Sequence, residues 1–222
     1  MRVLSVQVGR VREIEWKGRS TTTGIFKAPV AGRVAARTNG LEGDHQADLE
    51  VHGGPSKAIY AYPSEHYPAW QEELPDAELP WGAFGENLTL AGVTEETICV
   101  GDAFDVGSAR LVVTQCRLPC FKLGIRFGDP EMVRRMLENR RFGFYLGVER
   151  EGALGAGDEL FPMRRDPRRV SVADVARLYL NQSDDPELLA RAIAIPSLTP
   201  SWQERFERKL GAPSADSAKI TR

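Results

Sequence analysis

Residues 1–162 are rich in short apolar segments (2–8, 57–62, 87–91, 103–106, 109–114 and 142–148) set among Gly, Asn, Asp and Pro, a pattern that predicts a β-rich domain. Turn pairs such as Gly101-Asp102 and Gly157-Asp158 join several of them, which predicts a curved or closed sheet and disfavours βαβ units. Helices are expected at 64–73 and after Asp129-Pro130, where the aspartate can cap and the proline suits the first helical turn.

After Phe161-Pro162 the period changes. Residues 163–169, MRRDPRR, read as an exposed linker, and three helices follow. Ser171 and Asp174 have capping-box spacing, with Val172, Val175 or Ala176, and Tyr179 on one face. Asp185-Pro186 opens a second helix with Leu188, Leu189, Ala192 and Ile193 inward. Thr199-Pro200 opens a third with Trp202, Phe206 and Leu210 inward. The expected division is therefore a β-rich unit over 1–165, a three-helix unit over 166–210 and a frayed tail over 211–222.

A chain of 222 residues with 42% hydrophobic content can bury a core without disulfides or metals. Its net charge of −2 supplies no global field for nucleic acid or an anionic membrane. No run approaches the roughly 20 apolar residues of a membrane span, and no signal peptide is evident, so a cytoplasmic protein is expected. Three cysteines, an odd number, argue against a disulfide framework.

Two of those cysteines, Cys116 and Cys120, lie in QCRLPCFKLG (115–124). Arg117 and Lys122 flank Cys120, and a thiolate there, near a helix start, suits a nucleophile or a soft-metal ligand. Burial as small hydrophobes is the competing explanation for both, and the more natural one for Cys99. A second cluster runs from Asp44 and His45 to His52, Gly53, Gly54 and Lys57, where glycine amides and a lysine could receive an oxyanion. A tight turn explains those glycines equally well. Zinc on His45, His52 and Cys120 has no paired ligand spacing behind it. Gly85, Glu86 and Asn87 offer an acid and an amide before a strand, or simply a satisfied turn, and Lys27 sits at the edge of an extended piece. His66, near Tyr67 and Trp70, reads as structural.

In order, FKAPV (26–30), GLEGD (40–44), HGGPSK (52–57), FGEN (84–87) and QCRLPCFKL (115–123) resemble the MOSC domain, named after the molybdenum cofactor sulfurase C-terminus. The helical end resembles the three-helix (3-alpha) domain of the bacterial subfamily that protects against N-hydroxylated purine analogues. The resemblance implies a mainly β fold with helices, a MOSC β-barrel of the pyruvate-kinase β-barrel type, and a molybdenum cofactor (molybdopterin) ligated by Cys120. It implies reduction of a small N-hydroxylated compound to an amine, with electrons from a separate reductase. Under it, Lys27 and Lys57 contact the cofactor's phosphate, Gly53, Gly54 and Asn87 bind pterin or phosphate edges, Arg117 favours the thiolate, and His52 or Asp44 supplies a proton. Cys116 stands where that subfamily commonly has Pro. Two competitors remain: a sulfur carrier with a Cys120 persulfide resolved by Cys116, and a DNA reader using Arg205, Arg208 and Lys209.

Overall fold

A computed structural model describes residues 1–48 and 53–211. Its main body is a curled mixed sheet, a half-barrel. The strands are β1 (Arg2–Val8), β2 (Arg12–Trp16), β3 (Arg19–Thr23), β4 (Ala28–Pro29), β5 (Arg33–Arg37), β6 (Gly40–Leu41) and β7 (Ile59–Pro63), then β8 (Leu88–Ala91), β9 (Ala103–Val106), β10 (Ala109–Cys116), β11 (Phe144–Arg150), β12 (Gly152–Gly155) and β13 (Leu160–Arg164). Eight of them run in the order β13-β9-β10-β11-β7-β8-β1-β4. All neighbours are antiparallel except the parallel pair β7–β8. The chain end beside β1 reaches back to the far edge of the sheet: Leu160 donates to the Met1 carbonyl at 3.0 Å, and Arg2 bridges Glu159.

Strand β10 is the spine. It is buried at every position but Arg110, and it carries Val113, Thr114 and Cys116 to the end of the sheet where the chain turns into the Pro119-Cys120 corner. Its Leu111 shares the core with Val3, Ile59, Phe104 and Leu146, all essentially unexposed. Each such side chain contributes roughly 1.5–3 kcal/mol of burial, the main source of stability here.

The helices are α1 (Tyr67–Glu73), α2 (Phe121–Phe127), α3 (Met132–Asn139), α4 (Val172–Tyr179), α5 (Pro186–Ile193) and α6 (Pro200–Gly211). Helix α1 is preceded by a 3-10 turn at Ser64–His66, so the expected helix over 64–73 divides in two. Helix α3 starts at Met132; Asp129 Oδ1 accepts the Glu131 amide at 2.9 Å rather than acting as the cap residue itself. The capping box of α4 is present, with Asp174 N donating to Ser171 Oγ at 3.0 Å and Ser171 N to Asp174 Oδ2 at 3.0 Å. Trp202 and Phe206 are buried, Trp202 packing on Tyr179 at 4.2 Å between ring centroids. Leu210, expected to face inward, is instead exposed.

The segment expected to be an exposed linker is tied down. Asp102 and Asp166 are both buried; Arg165 Nη1 donates to Asp102 Oδ2 at 2.8 Å and Asp166 N to Asp102 Oδ1 at 2.8 Å. Arg164 pairs with Glu149 and Arg168 with Asp166. The helical end is joined to the sheet by Val172 N to the Ile98 carbonyl (3.0 Å) and by Thr199 Oγ1 to Gln115 Oε1 (2.6 Å). The tail expected to fray lies, from 212 onward, outside the described residues. Among the described residues no helix is long and apolar enough to cross a membrane.

Candidate functional site

At the end of β10 the chain passes through Arg117 and Pro119 and enters α2 with Cys120 as its N-terminal cap residue, in extended backbone (φ −125°, ψ 172°). That corner separates the two cysteines of the motif. Cys116 is fully buried and burial drives its thiol well above the ordinary range, with the Glu95 charge adding to the effect. Cys120 is half-buried and opens into a cleft of about 90 Å3. Cys99 is buried against Ser171, its thiol raised by burial and then by Asp102. None of the three forms a disulfide.

Arg117 is the charge that stands beside the Cys120 thiol. Its guanidinium is 6% exposed, lies 5.0 Å from the centre of the Tyr60 ring and points Nη1 at Met136 Sδ (3.5 Å). It makes no ion pair with a described carboxylate, and its charge couples to Cys120 and to the phenols of Tyr60 and Tyr145. A buried cation without a carboxylate is costly, and a thiolate or an anionic ligand in the cleft offsets that cost.

The opposite wall is built by close backbone approach. Gly24 lies so near the His45 carbonyl that a Cβ on it would come within 2.2 Å, and His45 N donates to the Gly9 carbonyl at 2.8 Å. This brings Lys27 onto Asp44: Nζ is 2.5 and 2.6 Å from the two carboxylate oxygens, and Asp44 Oδ1 also accepts the Gly9 amide at 2.8 Å. Both side chains face the cleft yet are nearly sealed, 8% and 2% exposed. Burial lowers the Lys27 pKa, opposed by Asp44. Lys27 is the hydrogen-bond donor of this pair and Asp44 the acceptor.

Lys57 lines the cleft at the end of a 3-10 turn, Pro55–Lys57, its pKa lowered by burial and opposed by Asp48. Thr114 Oγ1 holds the same turn to β10 through the Ser56 carbonyl at 2.6 Å. Gly54 starts it with φ 91°, a backbone state that glycine adopts without strain, but neither Gly53 nor Gly54 is among the residues lining the cleft. Asn87 does line it, although its amide already serves the fold: Oδ1 accepts the Tyr60 N–H at 3.0 Å and Nδ2 donates to the Gln7 carbonyl at 3.2 Å. Glu86 is turned away, accepting from Gly82 N (2.7 Å), Phe84 N (3.1 Å) and the Tyr67 hydroxyl. His52 lies outside the described residues. His45 stands exposed at the rim, and His66 pairs with buried Glu95 at 2.7 Å.

Tyr60 and Tyr145 were missing from the sequence reading. Their rings sit 5.7 Å apart in the cleft, and burial raises both phenols while Arg117 pulls them down. Tyr145 is opposite Gln115 across β10–β11, a long-range register no local pattern displays. No group of three His, Cys, Asp or Glu able to hold a metal ion occurs among the described residues. The cleft thus offers one thiol, several cations and a pair of phenols.

The chain belongs to the MOSC domain family, which it matches over residues 48–161, and residues 170–211 match the YiiM-like 3-alpha helix domain. It is 40% identical over 207 residues to the uncharacterized protein YflK of Bacillus subtilis, covering 93% of each chain. The crystal structure of YiiM from Geobacillus stearothermophilus superposes with a TM-score of 0.79 at 33% identity, over 94% of this chain and 98% of that one. A protein of Gibberella moniliformis named "Reductase" is 32% identical over 214 residues, which are 95% of this chain but 38% of the fungal protein.

Proposed function

We propose that the chain is a molybdenum-cofactor-dependent oxidoreductase that reduces N-hydroxylated compounds, hydroxylaminopurine-type bases among them, to amines. The observation that carries this is the Cys120 thiol opening into a cleft beside Arg117, a buried guanidinium with no carboxylate partner among the described residues. One thiolate is too few ligands for a bare metal ion but suits a metal that arrives with its own sulfur ligands on an anionic organic carrier. Those residues fit such a group.

Cys120 would hold the metal, Arg117 would favour its thiolate, and Lys57 would meet the carrier's phosphate. When bound, the cofactor supplies the two-electron reducing chemistry. Overall, two electrons and two protons enter, the N–O bond breaks and water leaves. Lys27, the hydrogen-bond donor to Asp44, is the cleft's candidate proton donor to the departing oxygen, in place of Asp44 itself. In this reading electrons come from a separate reductase.

Sulfur carriage through a Cys120 persulfide is less well supported, since the resolving thiol it needs, Cys116, is fully buried. DNA reading is weaker still. Arg205 is turned onto the Tyr179 carbonyl (3.0 Å) and Lys209 onto the Leu178 carbonyl (3.1 Å) and Asp184 (2.7 Å). The test is reduction of a hydroxylaminopurine by cofactor-loaded protein with a chemical electron donor, repeated with Cys120→Ser. Turnover lost in the variant supports the reading; equal turnover in both removes Cys120 from the reaction.

A further inference from the structure

We infer that Arg12 and Arg126, gathered round the Phe26 ring beside the Cys120 cleft, form a phosphomonoester subsite through which the protein takes nucleotides in preference to free bases or nucleosides. This rests on the reductase reading for what happens at Cys120, but not for the binding itself.

The Arg12 guanidinium carbon is 4.7 Å from the centre of the Phe26 ring, and that of Arg126 is 5.6 Å from the same point. Some arginines of the surface, among them Arg33, Arg110, Arg134 and Arg164, meet a carboxylate, while others, such as Arg2, Arg10 and Arg19, meet none among the described residues; what sets Arg12 and Arg126 apart is that two guanidiniums share one ring. Arg12 and Arg126 meet none among the described residues, and Arg126 Nε is shut off from solvent with no acceptor. A buried donor left unmade costs about 1–3 kcal/mol, and two like charges held against one ring repel. Stacking on an aromatic face leaves in-plane N–H donors uncommitted, which is the arrangement that receives a phosphate dianion with two cations.

The cluster is continuous with the cleft. Phe26 lies between Ile25 and Lys27, both of which line it; Arg12 pairs across the β2–β3 hairpin with Thr23, which lines it too. On α2, Lys122 lines the cleft one turn before Arg126. Arg12, Phe26 and Arg126 do not themselves line the cleft, so the subsite would hold the phosphate at its border with the rest of the nucleotide reaching in. Lys27 cannot take that phosphate, since Asp44 holds its ammonium, and Lys57 is the group assigned above to the cofactor. The same phosphate chemistry could come from the cofactor or from a nucleotide, and the measurement must separate them.

The experiment is calorimetric titration of inorganic phosphate, AMP and adenosine into the protein as isolated from a cofactor-producing host, with molybdenum content measured on every variant. The expected result is AMP binding at least about tenfold tighter than adenosine, with the advantage abolished in Arg12→Ala/Arg126→Ala and partly kept in Arg126→Lys. Equal affinities for AMP and adenosine in the wild type, or an AMP advantage that survives the double substitution, would overturn the subsite. So would loss of molybdenum in the double variant, because the cluster would then be holding the cofactor's own phosphate. A protein that prefers AMP as expected, yet leaves N-hydroxylated AMP unreduced, upholds the subsite and contradicts the reductase reading alone.

Discussion

Lys27 Nζ reaches both carboxylate oxygens of Asp44, at 2.5 and 2.6 Å, across a 17-residue gap in sequence and in the wall of the cleft that Cys120 lines. Removing one partner strands the other charge in a dry site. Asp44→Ala should therefore destabilise the fold by about 3–5 kcal/mol in urea unfolding, whereas Lys27→Met combined with Asp44→Leu should cost clearly less than the sum of the singles. Additive losses would mean that the two groups do not act as a pair.

The same lysine gives a pH signature. Its folded pKa lies below the ordinary 10.5, burial being the main cause. Between those two values the unfolded chain binds a proton that the folded chain does not, so the Lys27 contribution makes stability rise with pH through that window. Below the window both states are protonated and the folded state bears the desolvation cost. Lys27→Met should flatten this rise in unfolding curves taken at alkaline pH; an unchanged slope would contradict the assignment.

Thiol chemistry separates the three cysteines. In the native protein an alkylating reagent should label Cys120 alone, and Cys99 and Cys116 only after unfolding, because both are buried with raised thiols. Arg117→Met should slow the native labelling several-fold at fixed pH, since the charge coupled to Cys120 is gone. Rapid labelling of Cys116 in the folded protein would contradict its burial and revive the persulfide alternative.

The first helix of the C-terminal trio is set by its cap. Ser171→Ala removes the acceptor for Asp174 N and should cost about 0.5–2 kcal/mol, a fall of roughly 1–8 °C in Tm for a chain of this size. Ser171→Asp, which can still cap, should recover most of it.

What could be read in advance follows from how local each signal is. Ser171 with Asp174, and Trp202 with Phe206, act within one or two helical turns, and the helices appear where the spacing puts them. The β2–β3 hairpin is hard to read because the alternation of Glu13-Ile14-Glu15-Trp16 spans only four residues and its partner Arg19–Thr23 contains no apolar residue at all. The start of helix α2 is legible from Pro119-Cys120, but its extent is not, because Gly124 interrupts the helical pattern; Gly124 is required where the helix passes Pro130, whose Cα would stand 3.1 Å from a Cβ there. Basic residues 164–168 looked like a solvated linker because their counter-charges Asp102 and Glu149 are distant in sequence. In the site, the Pro-Cys corner and its flanking cations were legible, while Tyr145 and the joining of Lys27 to Asp44 depend on register and close backbone approach.

The most direct test of the account is the molybdenum and pterin content of the protein purified from a cofactor-producing host, wild type beside Cys120→Ser and Cys116→Ser. Near-stoichiometric cofactor in the wild type and the Cys116 variant, with little in the Cys120 variant, is the expected result. Equal content in all three, or none in the wild type, would contradict the claim that Cys120 holds the cofactor.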